Sequence, residues 1–254
     1  LGRVLPAAAF RDDLAADGLI IDSTDAGPLG AAGSSAIVMH NPDEFLRIAQ
    51  GISNRSTRSD NDALRHILGV QSHVRKATAD IAVAIKRRPD LEDKFGQSTL
   101  DTRLRHTAEL LIAGLPVLAV KVGIKGFDTH ANQKGSHARL LAQVASATSS
   151  FRKVMREANL WRNVVMVTVS EFGRRPAQNG SAGTDHGTAA PMFVMGGSIQ
   201  GGLYGQTPSL TDLNAGDLKH SLDFRAVYAT LSRKLWGVDP QTFGAGQFQP
   251  LGFL

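Results

Sequence analysis

Apolar positions recur along this chain with two spacings, and the changes between them mark its elements. From Pro42 to about Arg88 the residues Leu64, Ile67, Leu68, Val70, Val74, Ala77, Ile81, Ala84 and Ile85 fall mostly three or four apart. That spacing lines one face of a helix. Asp60 and Asn61 stand where the longer helix begins, and either side chain can accept a free first-turn N–H. Thr99 to Leu111 repeats the amphipathic pattern, and Leu140, Val144, Ala147, Phe151, Val154, Met155 and Ala158 mark one face of a long helix. Ser221 to Trp236 closes the series, with Phe224, Val227, Tyr228 and Leu231.

Between these helices the pattern turns into short apolar runs. Leu19-Ile20-Ile21 comes first, ahead of a Gly/Ala/Ser-rich connection from Gly27 to Ser35. Val117 to Val122 is β-branched and of strand length, Asn163 to Val169 reads as a fully buried strand, and Pro191 to Met195 is a further strand. Strand, long helix, strand, loop, strand predicts an α/β domain with a mostly parallel sheet sandwiched by helices. Residues 1–254 are expected to form one such domain, with the mainly helical segment 42–112 covering the sheet or forming a cap. No internal repeat interrupts it.

Composition narrows the chemistry. With 254 residues, 42% of them hydrophobic and 20% charged, the chain is an ordinary globular protein. No segment approaches the roughly 18 uninterrupted apolar residues of a membrane span. The absence of Cys excludes disulfides, thiolate zinc sites and cysteine nucleophiles, so a nucleophile is expected to be an oxygen and a metal to sit on His and carboxylates. Lys and Arg number 28 against 23 Asp and Glu, a net charge of +5 that favours anionic partners. The basic residues are dispersed without an aromatic-interleaved stripe, so no nucleic-acid partner is expected.

Ligands of open α/β sheets bind at the carboxyl ends of strands, and three polar segments follow the predicted strands. They are Gly126-Phe127-Asp128-Thr129-His130, Ser170-Glu171-Phe172-Gly173-Arg174-Arg175, and Asn179 to Gly187 with Asp185-His186. Asp128 and His130 are two apart, and extended backbone projects such a pair to the same side. Glu171 at the end of a buried strand calls for a cation or an Arg beside it, and Arg174 is three residues on. Asp128, His130, Glu171, Asp185 and His186 make a mixed oxygen and nitrogen donor set that suits zinc, manganese or iron better than calcium. The bland alternatives are a surface Asp–His pair, a Glu171–Arg174 ion pair and a turn-forming Asp185. His40, His66, His73, His106 and His220 read as ordinary polar positions, and His137 as a residue behind the ligands. Ser34 and Ser35 lie in the Gly-rich loop with nothing nearby to activate them.

These segments resemble the bacterial domain of unknown function 1501 family. The likeness extends to Asn132-Gln133, Gly196-Gly197, Gly201-Gly202, Tyr204-Gly205 and Asp223 to Tyr228, running from about Leu100 to the C-terminus. The resemblance implies membership of the alkaline phosphatase-like superfamily, whose phosphatases, sulfatases and phosphoglycerate mutases hold one or two divalent metals at the ends of a parallel sheet. It implies that Asp128, His130 and His186 resemble metal ligands, that Glu171 takes the strand-end place of another, and that Asp185 substitutes for a missing His. It further implies a small anionic phosphate or sulfate ester as substrate, Arg174, with Arg175 as the alternative, as the catalytic cation facing it, zinc or manganese as cofactor, and a periplasmic or secreted location. Two features depart from the superfamily. Glu171-Phe172 stands where Asp-His is common, and the early Gly-Gly-Asn-Asp segment of the family is missing. The expectation is therefore the C-terminal portion of a longer chain, with its nucleophile upstream of Leu1. A non-catalytic module that keeps the fold and a degenerate metal site is the alternative.

Overall fold

The computed structural model describes residues 14–16, 18–21, 36–51 and 61–254. It is a mixed α/β protein whose chain divides into two compact units, residues 1–124 with 146–158 and residues 125–145 with 159–254. The Gly-rich connection, Ser34, Ser35 and the cap candidate Asp60 lie outside the described residues.

The first unit is organised around three short parallel strands, β1 (Leu19–Ile21), β2 (Ile37–Met39) and β3 (Val120–Val122), in the order β2-β1-β3. The central strand is apolar at every position and buried at every position, as a parallel strand covered on both faces must be. Its cover is helical. Helix α1 (Pro42–Gln50) is capped by Asn41, whose side chain accepts from the Asp43 and Glu44 amides, with Pro42 where no N–H is needed. Helix α2 (Asp62–Arg87) starts at Asn61, which accepts from the Leu64 amide. Helix α3 (Thr99–Ile112) opens with a reciprocal cap between Ser98 and Asp101. Ala77, Ile81 and Ala84 of α2 and Leu110 of α3 form one apolar cluster with Leu19, Ile21, Ile37 and Met39.

Helix α4 (Gln133–Glu157) follows, beginning in residues assigned to the second unit and ending in residues assigned to the first. In the second unit β4 (Val165–Val167) pairs with β7 (Val194–Gly196), and Val227, Leu231 and Phe253 pack with Val165, Val167 and Val194 beside helix α5 (Phe224–Leu231). A wider π-type turn over Ser232–Trp236 extends α5, so the predicted closing helix changes its winding before Gly237 ends it at φ +62°.

The fully buried strand predicted at 163–169 is corrected to three half-buried residues, and its pairing with β7 is antiparallel. The connection explains this. Between β4 and β7 the chain makes a hairpin, β5 (Gly173–Gln178) and β6 (Thr184–Gly187), and no helix. A parallel return needs a long crossover, usually helical, which is lacking here. The predicted sheet is thus replaced, among the described residues, by one three-stranded parallel sheet and two antiparallel pairs. No described helix is long and apolar enough to cross a membrane.

Candidate metal centre

The site lies in the second unit, where the segment 126–132 meets the β5–β6 hairpin. Along that segment Thr129 is buried while Asp128 and His130 are exposed, and the Thr129 amide donates to the Phe127 carbonyl at 3.0 Å, a three-residue turn about Asp128 where extended backbone was expected. Hydrogen bonds from the Asn132 and Gln133 amides to the carbonyls of Ser181 and Ala182, 3.0 and 2.9 Å, tie it to the turn of the hairpin. The approach is close enough to require glycine at 183. A Cβ there would lie 2.2 Å from the His130 carbonyl carbon and 2.3 Å from its oxygen.

Asn179 organises the turn. Its Oδ1 accepts from the amides of Ser181 and Gly183, both at 3.0 Å, and its Nδ2 donates to the His130 carbonyl at 3.1 Å and to Asp185 Oδ1 at 3.2 Å. Across the hairpin Arg174 pairs with His186 in register, which puts both side chains on one face. The register shifts between Arg174 and Gln178, the stretch holding Pro176, whose missing N–H suits an irregular position.

Three side chains converge on that face. Asp128 Oδ1 is 2.8 Å from His186 Nε2 and 2.9 Å from His130 Nε2, and the two Nε2 atoms are 3.1 Å apart. Ligands about 2.0–2.1 Å from a zinc ion lie roughly 2.9 Å apart at a right angle and roughly 3.3 Å apart at a tetrahedral one. The observed separations, 2.8 to 3.1 Å, lie close to the right-angle value. Among the described residues this is the one group of three or more such side chains placed to hold a metal ion. The Asp128, His130 and His186 side chains are 58, 51 and 47% exposed, so further coordination positions face solvent.

Protonation reinforces the fit. Asp128 Oδ1 accepts from the Arg174 guanidinium at 3.1 Å in addition to facing both imidazoles. The His186 hydrogen bond holds its carboxyl below the usual carboxylate range, against some desolvation and with help from Arg174 and His130. If both imidazoles donated Nε2–H to this oxygen, the two hydrogens would also crowd each other across the 3.1 Å gap. A cation among the three atoms removes the conflict, because both Nε2 atoms and the carboxylate oxygen then act as electron-pair donors.

The sequence pattern of a family described as protein of unknown function (DUF1501) matches residues 49–249. The chain belongs to the DUF1501 family. No curated protein and no solved structure matches it. All three converging residues of this DUF1501 protein fall inside the matched span, which begins well before the Leu100 at which the sequence motifs become recognisable.

The other predicted site residues take different places. Glu171 is exposed and lies outside the triad, and Arg174, its expected partner, is engaged elsewhere. Arg174 Nη1 donates to the Thr184 carbonyl at 2.6 Å, and Nη2 donates to the Phe127 carbonyl at 2.6 Å and to Asp128. Those bonds orient Asp128 and engage three of the five guanidinium N–H groups. Asp185 is also outside the triad, with Oδ1 3.9 Å from His130 Nδ1. His137 meets Phe127 edge to face at 5.6 Å between ring centres and is not among the converging groups.

Two contributors escape a reading for donor atoms alone. Phe172 stacks on the His186 ring with centres 3.7 Å apart and planes 10° apart, and the Arg174 guanidinium lies 4.9 Å from the Phe172 centre. Asp217, buried, accepts from the Thr188 and Leu218 amides at 2.8 Å and anchors the end of β6. Burial pushes its carboxyl up, and those amide bonds outweigh it and hold the group below its ordinary value. The Asn179-Gly180 dipeptide signals a turn, but the observed turn runs from Asn179 to Gly183 with Ala182 at φ +58°, and not through a two-residue Asn-Gly turn.

Proposed function

We propose that this DUF1501 protein is a metal-dependent hydrolase or transferase acting on small phosphate or sulfate esters, with an alkaline phosphatase-like ancestry and a divalent ion, zinc or manganese, on Asp128, His130 and His186. The observation that carries the reading is the triangle of one carboxylate oxygen and two imidazole nitrogens on an exposed face. A bound ion there supplies Lewis-acid polarisation of an ester oxygen and a lowered pKa for a bound hydroxyl or water. Arg174 holds Asp128 from one side, and Phe172 fixes the plane of His186 by stacking. An ion held by Asp128, His130 and His186 would supply positive charge for the anionic group.

A second reading keeps the ion and drops the catalysis. It is favoured by Glu171, which stays outside the triad, and by Phe172 beside it, which packs on a ligand ring. One experiment separates the two. The purified full chain is titrated with zinc and with manganese, then assayed on aryl phosphates and aryl sulfates. The enzyme reading expects about one bound ion per chain and ion-dependent turnover that Asp128→Ala abolishes. Binding without turnover selects the module, and no binding of either ion contradicts both.

A further inference from the structure

The proposed ion site has a support on its far side. We propose that Asp185 and Asn179 form the back wall of His130, with Asp185 a positioning residue that accepts a hydrogen bond from Nδ1–H and not a further ligand; this rests on the reading of the triad as an ion site. His130 turns Nε2 toward Asp128 and His186, which leaves Nδ1 as its other polar atom. The acidic group nearest Nδ1 among the observed ion pairs is Asp185, at 3.9 Å from Oδ1. When Nε2 carries a cation, the ring proton resides on Nδ1, and a carboxylate facing it fixes the tautomer and makes the imidazole a stronger donor.

Asp185 is placed for this role by the strand. Successive residues of a strand project to opposite faces, so Asp185 cannot share the ligand side with its neighbour His186. Asn179 holds the arrangement together. One amide nitrogen donates both to Asp185 Oδ1 and to the backbone carbonyl of His130, while its oxygen is anchored by two amides of the turn. The His130 main chain and the carboxylate behind its ring are therefore tethered to each other through one side chain. Closing 3.9 Å to hydrogen-bond distance takes a movement of about 1 Å, which the exposed Asp185 side chain can make by rotation.

The test uses the full chain, zinc titrations by calorimetry, and nitrogen-15 spectra of the histidine rings in the zinc-loaded protein. Asp185→Asn is expected to weaken zinc binding about 10- to 100-fold at unchanged stoichiometry. The His130 Nδ1–H resonance should move upfield as its charged acceptor is lost. Asp185→Glu should recover part of the affinity. Asn179→Ala should weaken zinc binding in the same direction with circular dichroism unchanged. Asp185→Asn binding within twofold of the wild type, with the Nδ1–H resonance unmoved, would overturn the inference and leave the triad intact. Complete loss of zinc in Asp185→Asn would also overturn it, making Asp185 a ligand. Failure of the unsubstituted chain to bind zinc would overturn the ion-site reading itself.

Discussion

The parallel sheet of the first unit and the hairpin site of the second are held together by different means. In the sheet, Leu19, Ile20 and Ile21 are essentially without exposure, and the helices over them contribute apolar side chains. Each buried aliphatic side chain there contributes about 1.5–3 kcal/mol, and the backbone ladder follows from the packing. In the site, the three converging side chains are exposed, and their positions depend on directed bonds made by less exposed neighbours. Asn179 makes four, Arg174 three and Asp217 two. The contrast assigns stability to one region and precision to the other. Core substitutions should cost the fold, and site substitutions should cost the ion while sparing most of the fold.

The largest effect on stability is expected from Ile21→Ala, which opens a cavity in the central strand. Its unfolding free energy should fall by about 2–5 kcal/mol in a denaturant titration. Gly183→Ala comes next. A Cβ 2.2 Å from the His130 carbonyl carbon forces the hairpin turn and the 126–132 segment apart, and zinc affinity should fall at least tenfold with a smaller loss of stability. If Gly183→Ala binds zinc normally, the close approach does not position His130.

Asp217→Asn probes the same region through pH. The Asp217 carboxyl is held below its unfolded value by the amides of Thr188 and Leu218. Its contribution is thus fully present above the unfolded pKa of about 3.9 and lost as pH falls through the lower folded value. The stability gap between wild type and Asp217→Asn should be constant near neutrality and close below about pH 4. A gap that widens in acid would contradict the bonding. Asn61→Ala should have the smallest effect, about 1 kcal/mol, because it removes the side-chain acceptor at the start of α2.

The two regions also differed in how openly the sequence displayed them. Helix α3 was readable almost to the residue, since Thr99 to Leu111 carries a strong helical period, and the Asp60-Asn61 pair announced the start of α2. Asp128 and His130 were legible because donor-bearing residues after an apolar run are conspicuous, whereas His186, read as part of a Gly-flanked turn, lies within β6. The hairpin was not. Gly-Arg-Arg-Pro-Ala-Gln has no alternation of apolar and polar residues, and β5 is held by cross-strand and side-chain bonds that leave no period behind. The antiparallel course of β7 was hidden for the same reason, because it depends on that hairpin standing where a crossover helix was expected. Sequence spacing likewise cannot say that Arg174 turns to Asp128 and away from Glu171, since that choice is made by the Arg174–His186 register.

The most direct test of the account is a zinc titration of the full chain beside His186→Ala and Asp128→Ala. The geometry predicts about one ion per wild-type chain, loss of that ion in both variants, and denaturation midpoints close to wild type, because both residues are exposed. Equal metal content in all three proteins, or none in any of them, would contradict the assignment of Asp128, His130 and His186 as an ion site.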